Sequence, residues 1–460
     1  MTPSPLRLTF DGGTIVVTGG SEEDRGALPG VAHDPRTKTQ RAEGRHYRMI
    51  VEYLINHKIA YEDAAREYQA ATWTLNSSRT PFPHQTEAVD TWWKSKARGV
   101  VVLPTGTGKT FMAMLAIQKA ARPAIVVTPT IDLLNQWHAE LSQAFGTKVG
   151  MMGGGDYDIQ PLTVTTYDSA YIHLERWGNR FGLLVFDECH HLPGPTYAMA
   201  AIGSLAPFRL GLTATPERAD GMEHSYPELI GPIVYRREIS ELSGDFLAEY
   251  ATRRIYVSLS EDEQARYTAA REKYRQFILD SNISMSGPNG WQRFIFEASK
   301  SKEGWQAYQA YREQKRLERA AIAKLKKLEE LLVTHAKDRA IIFTADNATV
   351  YQIAREYLIP AITHQTKAKE RKQILERFHS GEYSIVVTSQ VLNEGVDVPS
   401  ANVGIVLSGT GTIRENVQRL GRLLRKQKDK QAILYEIVAQ GTTEEYASER
   451  RRQHQAFRSG

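Results

Sequence analysis

The sequence predicts an α/β protein with two parallel-sheet lobes, a small α/β domain ahead of them, and a helical insertion in the second lobe. Three observations lead there. From about residue 82 to 235, short β-branched runs alternate with helical patterns, the alternation that gives a parallel sheet. A second alternation of the same kind runs from about 339 to 440. At 460 residues the chain exceeds what one hydrophobic core supports, and about three domains are expected at such a length.

In chain order, residues 6–10 and 14–18 flank Asp11-Gly12-Gly13 and read as a hairpin. A polar, partly basic loop over 21–44 follows, then an apolar face at helical spacing over 47–54. This module, residues 1–75, shows no residues of evident chemistry. The first lobe, 76–240, has strand candidates at 100–103, 124–128, 162–165, 183–186 and 209–213. The second, 241–460, has them at 340–343, 384–387, 403–407 and 433–437. Two such lobes in one chain suggest a cleft. The insertion, about 261–325, is rich in Tyr, Trp, Arg and Lys and is broken at Ser286-Gly287-Pro288-Asn289-Gly290, so two helical arms joined by a turn are expected. Two readings of it stand. Its rings pack inward as a helical subdomain, or it grips a nucleic-acid backbone with some rings stacking on bases.

Composition excludes several classes. No apolar stretch reaches the roughly 20 residues of a membrane helix. The opening Met1-Thr2-Pro3-Ser4-Pro5 lacks a charged-then-apolar signal, so a cytoplasmic protein is expected. The single cysteine, Cys189, excludes an intrachain disulfide. A net charge of +5 suits a polyanionic partner without specifying one.

The chemistry is concentrated in three stretches. The first is Leu103-Pro104-Thr105-Gly106-Thr107-Gly108-Lys109-Thr110, between a strand and a helix. Gly106 and Gly108 permit backbone conformations closed to residues with a Cβ, so successive N–H groups can converge on one anion. The helix adds its positive N-terminal end, Lys109 a full charge for the outer phosphates, and Thr110 a hydroxyl for Mg²⁺. Where the general pattern has glycine, five residues before Gly108, this chain has Leu103. Nucleoside triphosphate binding is the expectation.

The second stretch, Asp187-Glu188-Cys189-His190, ends a buried-strand pattern. Asp187 at the strand end can hold Mg²⁺ through its water shell, and Glu188 can polarise the water that attacks the γ-phosphate. Cys189, His190 and His191 have no second Cys/His cluster at ligand spacing, so no zinc site is read there. In the third stretch, Gln418, Arg422 and Arg425 fall at i, i+4 and i+7 on one helix face. Arginines held on one rigid face suit the charge of a transferring phosphoryl group.

Together with Val127-Thr128-Pro129-Thr130, Thr213-Ala214-Thr215, Ile341-Ile342-Phe343-Thr344 and Thr388-Ser389-Gln390-Val391-Leu392-Asn393-Glu394-Gly395-Val396-Asp397, these stretches follow the order of the superfamily 2 helicase motifs. The chain resembles that superfamily, and within it the XPB/Ssl2 branch in its compact prokaryotic form. The resemblance runs from the first hairpin to about residue 450. Longer stretches that carry it include Ala206-Pro207-Phe208-Arg209-Leu210-Gly211-Leu212 and Glu394-Gly395-Val396-Asp397-Val398-Pro399.

The resemblance implies RecA-like lobes, with residues 1–75 as a damage-recognition-like domain and the insertion as a thumb. It implies ATP hydrolysis with Mg²⁺, driving 3′→5′ translocation on DNA or duplex opening in nucleotide excision repair or transcription. Glu188, Lys109, Gln418, Arg422 and Arg425 would be catalytic, and Gln85, Gly395 and Asp397 would join the loop 104–110 around ATP. Thr128, Thr130, Thr165, Arg218, Asp220, Thr344, Thr388 and Gln390 would contact DNA at forks, bubbles or single-strand/duplex junctions. Partners in the family include nucleases in archaea and TFIIH in eukaryotes; a monomer without membrane association is expected on its own.

Two departures qualify this. The branch's Arg-Glu-Asp element, associated with strand opening, reads Arg218-Ala219-Asp220. The adenine-side element, usually Leu-Arg-Pro-Tyr-Gln, reads Pro81-Phe82-Pro83-His84-Gln85. A second reading follows from the first departure: an ATP-gated DNA-binding scaffold with weak unwinding that recruits a nuclease.

Overall fold

Strands form where the sequence alternates or runs β-branched, and among the described residues they assemble into sheets of five, eight and six strands. The computed structural model describes residues 4–218, 220–242, 246, 249–285, 289–389, 401–408 and 431–452. The chain divides into two units, Met1–Arg237 and Glu238–Gly460.

The first unit opens with the five-stranded sheet. Leu6–Asp11 and Thr14–Thr18 pair antiparallel with Asp11 opposite Thr14. Gly12 and Gly13 are left as a two-residue loop at φ 55° and 75°, the left-handed geometry that a tight hairpin turn requires. The region expected to be a loop is more ordered than its polarity suggests. It holds a short helix, Glu22–Gly26, and the strands Ala32–Asp34 and Thr39–Glu43, the second of which pairs with Thr14–Thr18. Helix Tyr47–Asn56 lays Tyr47, Ile50 and Leu54 on Leu6, Leu8, Ile15 and Val17. Leu205, from the domain that follows, completes this core. Beside it Gly13, Gly44 and Gly203 meet backbone to backbone, and a Cβ on Gly44 would lie 3.0 Å from the Gly203 carbonyl carbon.

The eight-stranded sheet runs in the order Ile233–Arg236, Arg98–Val102, Phe208–Thr213, Leu183–Phe186, Ala124–Thr128, Leu162–Thr166, Gly150–Gly153, Asp156–Asp158. All neighbours are parallel except the last pair. Its central strands are buried on both faces, which is why they read as apolar runs. Consecutive strands Arg98–Val102 and Ala124–Thr128 are separated in space by Phe208–Thr213 and Leu183–Phe186. That crossover brings the ends of three strands (Val102, Thr213 and Phe186) side by side at the carboxyl edge, where such sheets bind ligands.

The second unit is built on an all-parallel sheet in the order Glu249–Val257, Gln431–Ala439, Val403–Val406, Ala340–Phe343, Ile385–Thr388, Ala361–Ile362. Ile342, Ile353, Val387, Ile405 and Ile437 form its core. Between Glu249–Val257 and Ala340–Phe343 come the helices Glu261–Asp280, Gly290–Ala298, Lys302–Ala320 and Ile322–Thr334. The expected pair of arms is therefore corrected to three helices, with a fourth leading back to the sheet. Ser301 makes the extra break: its Oγ caps Lys302–Ala320 by accepting from the Gly304 N–H at 2.9 Å. Most of the insertion's rings pack inward, with Tyr274, Phe294 and Tyr311 at centroid separations between 5.2 and 6.2 Å, and Trp291 touches Phe294 and Tyr311 from an exposed position. Trp305 and Phe296 stay exposed. The expected α/β class, with two parallel-sheet lobes and a helical insertion, is what the structure has. No helix among the described residues is long and apolar enough to cross a membrane.

Candidate active site

Strand Arg98–Val102 ends where the chain must turn into helix Lys109–Ala120, and Gly106 and Gly108 make that turn at φ 89° and 81°. Gly108 is also pressed by a neighbour, since a Cβ there would lie 2.4 Å from Gln85 Nε2. Gln85 is buried. Its Nε2 donates to the carbonyls of Thr107 (3.0 Å) and Gly108 (3.2 Å), and its Oε1 accepts from the Phe82 N–H (3.0 Å). The residue expected at the adenine edge is thus placed against the loop as a brace. His84 Nε2 sits 3.0 Å from the same Thr107 carbonyl, and Thr107 Oγ1 donates to the Pro104 carbonyl at 2.8 Å. Thr105 and Thr110 are half-buried. Lys109 Nζ donates to the Leu103 carbonyl at 3.1 Å, which holds its charge within the loop.

Asp187 follows strand Leu183–Phe186, and its N–H donates to the Val127 carbonyl at 2.9 Å. Its buried carboxylate accepts from the Trp137 indole Nε1–H at Oδ2 (2.8 Å) and from the Glu188 N–H at Oδ1 (3.0 Å). Burial pushes this carboxyl above the usual carboxylate range, against the lowering pull of the Trp137 hydrogen bond and the Lys109 charge. Both donors are neutral, so a buried carboxylate is left without a directly paired cation among the described residues. A hard divalent ion with oxygen preference fits that donor set, and Thr110, in the first turn of helix Lys109–Ala120, offers a hydroxyl of the same kind.

Glu188 takes φ 45°, a left-handed conformation sparse for a residue with a Cβ. Its Oε2 lies 3.4 Å from His190 Nδ1, which is 3.1 Å from Thr213 Oγ1. Thr213 gives its hydroxyl hydrogen to the Thr215 carbonyl (3.1 Å), so the hydrogen bonds assign the His190 proton to Nδ1. Arg218 donates to the His190 carbonyl and forms a two-pronged ion pair with Asp220 at 2.8 and 2.6 Å. Glu188, His190, Thr213 and Arg218 therefore form one network. Arg218 and Asp220, expected on DNA, are engaged here with each other and with the His190 backbone; Ala219 lies outside the described residues.

The threonines expected on DNA recur as one device in each unit. Thr128 Oγ1 donates to the carbonyls of Thr130 (3.3 Å) and Thr165 (3.2 Å), and Thr130 caps helix Ile131–Phe145 through Leu133 N–H. In the second unit Thr344 Oγ1 donates to the carbonyl of Asp346 (3.0 Å) and reaches that of Thr388 (3.5 Å), while Asp346 caps Asn347–Tyr357 through Thr349 N–H. Thr128, Thr165, Thr344 and Thr388 are fully buried, and their hydroxyls serve backbone carbonyls. These four hydroxyls are thus engaged with the backbone at the two strand edges. Each edge also carries a capped helix N-terminus, at Thr130 and at Asp346. Gln390, Gly395, Asp397, Gln418, Arg422 and Arg425 lie outside the described residues.

Two contacts to Asp187 were not legible beforehand. Trp137 reads as a core residue of its helix, and only its indole N–H, which needs a partner when buried, hints at more. Tyr167 donates its hydroxyl to the Asp187 carbonyl at 3.0 Å, with nothing in the pattern to announce it.

Comparisons with known proteins cover most of the chain. Residues 8–65 match the family model of the Xeroderma pigmentosum group B helicase damage recognition domain. Residues 78–218 match the type III restriction enzyme, res subunit, and 323–427 the helicase conserved C-terminal domain. A DNA 3′-5′ translocase XPB2 from Sulfurisphaera tokodaii is 40% identical over 435 residues, 92% of this chain and 96% of the relative. The DNA 3′-5′ helicase XPB of Mycobacterium tuberculosis is 29% identical over 80% of this chain, which spans 62% of that protein. Among solved structures, the Hef helicase domain of Pyrococcus furiosus aligns with a TM-score of 0.54 at 20% identity. It covers 81% of this chain and 98% of that one, a likeness of fold.

Proposed function

The chain belongs to the XPB/Ssl2-like family of superfamily 2 helicases, and from that premise we propose that it is an ATP-dependent DNA translocase or helicase of 3′→5′ polarity. We place it with the compact prokaryotic members, acting in DNA repair or transcription on forks, bubbles or single-strand/duplex junctions. The observation that carries the enzymatic reading is Asp187, a buried carboxylate with neutral donors at the same sheet edge as the glycine loop.

In this reading the N–H groups around Gly106 and Gly108 cradle the phosphates, and Lys109 leaves the Leu103 carbonyl for them. Thr110 and Asp187 would hold Mg²⁺, which when bound would supply charge neutralisation at the outer phosphates. Glu188 takes the proton of the attacking water, and His190 ties its position to Thr213 and Arg218. On the family's pattern, Gln418, Arg422 and Arg425 would be catalytic, and Gly395 and Asp397 would take part in ATP binding. Turnover then depends on both lobes, which is what turns hydrolysis into motion. DNA contacts through capped helix ends engage phosphate rather than base edges, so binding is salt-dependent and insensitive to sequence.

The test is DNA-stimulated ATPase of the wild type beside Lys109→Ala and Glu188→Gln. Both variants lose hydrolysis by about 10²–10⁴-fold, and Glu188→Gln keeps nucleotide binding. Undiminished hydrolysis in either overturns the site. The scaffold reading, with a nuclease as partner, is favoured by one observation: Arg218 and Asp220 are engaged with each other. Fork unwinding measured beside triplex displacement separates the two, and Ala219→Glu raises unwinding if the element governs strand opening.

A further inference from the structure

One side chain without an assigned role touches the reacting centre. Trp137 stands in the second turn of helix Ile131–Phe145, buried, with its indole Nε1–H donating to Asp187 Oδ2 at 2.8 Å. Resting on the nucleotide reading above, we propose that Trp137 is a positioning residue for the metal-binding carboxylate. It sets the rotation of Asp187 so that the lone pairs not taken by the indole and by the Glu188 N–H remain available to the metal.

Three physical points support this. Each carboxylate oxygen has about two acceptor sites, and one donor on each, Trp137 on Oδ2 and Glu188 N–H on Oδ1, fixes the plane while leaving one site on each open. The indole is a donor only and carries no charge. A lysine or arginine in its place would hold the carboxylate equally well but would cancel the charge that attracts a divalent ion. Finally, the helix that carries the indole is anchored at its start, where Thr130 caps it and Thr128 holds the Thr130 carbonyl, so the donor is rigidly placed.

Trp137→Phe keeps a ring in the core and removes the N–H. Binding of Mn²⁺ to the protein–ADP complex, read by electron paramagnetic resonance, reports the site without turnover. Partners of this kind are worth about 10–100-fold in metal affinity, so Mn²⁺ binding at least about tenfold weaker is expected. ADP affinity in EDTA stays at the wild-type value. Leu141→Val trims a buried residue one turn further along the same helix and moves neither quantity. A measurement on the wild type stands beside these: with ¹⁵N-tryptophan, one of the 7 indole N–H signals shifts when Mg²⁺ is added to the ADP complex, and not with ADP alone. Wild-type Mn²⁺ affinity in Trp137→Phe, or an indole spectrum indifferent to Mg²⁺, overturns the proposal. Equal loss of ADP binding in EDTA also overturns it, because that marks packing alone. A wild type that binds no ADP overturns the nucleotide reading and this inference together.

Discussion

Replacing Gly108 with alanine should disable the phosphate loop through two separable effects. The residue sits at φ 81°, and a left-handed conformation costs a residue with a Cβ about 1–2 kcal/mol. The new Cβ also arrives 2.4 Å from Gln85 Nε2, which must withdraw from the Thr107 and Gly108 carbonyls. At about 1 kcal/mol for each hydrogen bond, that adds about 2 kcal/mol. The sum, about 3–4 kcal/mol, weakens ADP binding by about 10²–10³-fold if it falls on the anion-binding conformation. Gln85→Ala alone loses the same two hydrogen bonds, about 2 kcal/mol. In the double variant those bonds are lost only once, so the two changes together fall about 2 kcal/mol short of additive. Isothermal titration with ADP over the four proteins reads the cycle. Strict additivity, or wild-type affinity in Gly108→Ala, refutes the brace.

Four further outcomes follow from the same structure and reading. Lys324 is fully buried, with Nζ on Glu444 at 2.6 Å and on the Leu407 carbonyl at 2.7 Å, so Lys324→Met removes the buried cation that faces the Glu444 carboxylate and lowers stability in urea by about 3–5 kcal/mol. Burial raises the Glu318 carboxyl, but the Lys315 charge and the hydrogen bonds from Lys315, Thr443 and Gln314 outweigh it and hold the carboxyl below the usual range. Its folded value lies under its unfolded one, so the stabilisation is present above the ordinary value of 4.5 and lost as pH falls through the lowered one. Denaturation curves of Glu318→Gln and wild type should therefore differ at neutral pH and converge in acid. Arg422→Ala slows turnover about 10³-fold or more in steady-state ATPase if the arginine meets the transferring group. DNA affinity falls linearly with salt on a double-logarithmic plot, with the same slope for unrelated duplexes; a slope that changes with sequence contradicts phosphate-led binding.

The parts of the fold legible in the sequence were those whose signal is local. The glycine loop, the Asp187-Glu188 pair and the central strands each combine residue type with an unmistakable neighbourhood. Strand Glu249–Val257 escaped because it lies at a sheet edge, where Arg253 and Arg254 interrupt the apolar run. Gly150–Gly153 escaped because a Gly-Met-Met-Gly string reads as a turn. Gln85 and Trp137 were visible as residues but not as contacts. Their partners lie 22 and 50 positions away, and only the folded packing brings them together. The buried threonines carried the opposite lesson. A hydroxyl at a strand end suggests a phosphate contact, but at Thr128 and Thr344 the helix that follows needs its first turn fixed, and the hydroxyl is engaged there.

That hydrolysis at Lys109, Asp187 and Glu188 drives motion along DNA is tested most directly by triplex displacement on duplexes blocked in one strand or the other. Wild type with ATP should strip the third strand unless the strand tracked 3′→5′ is blocked, and Glu188→Gln should bind the duplex and strip nothing. Displacement by Glu188→Gln, or indifference to which strand is blocked, would contradict it.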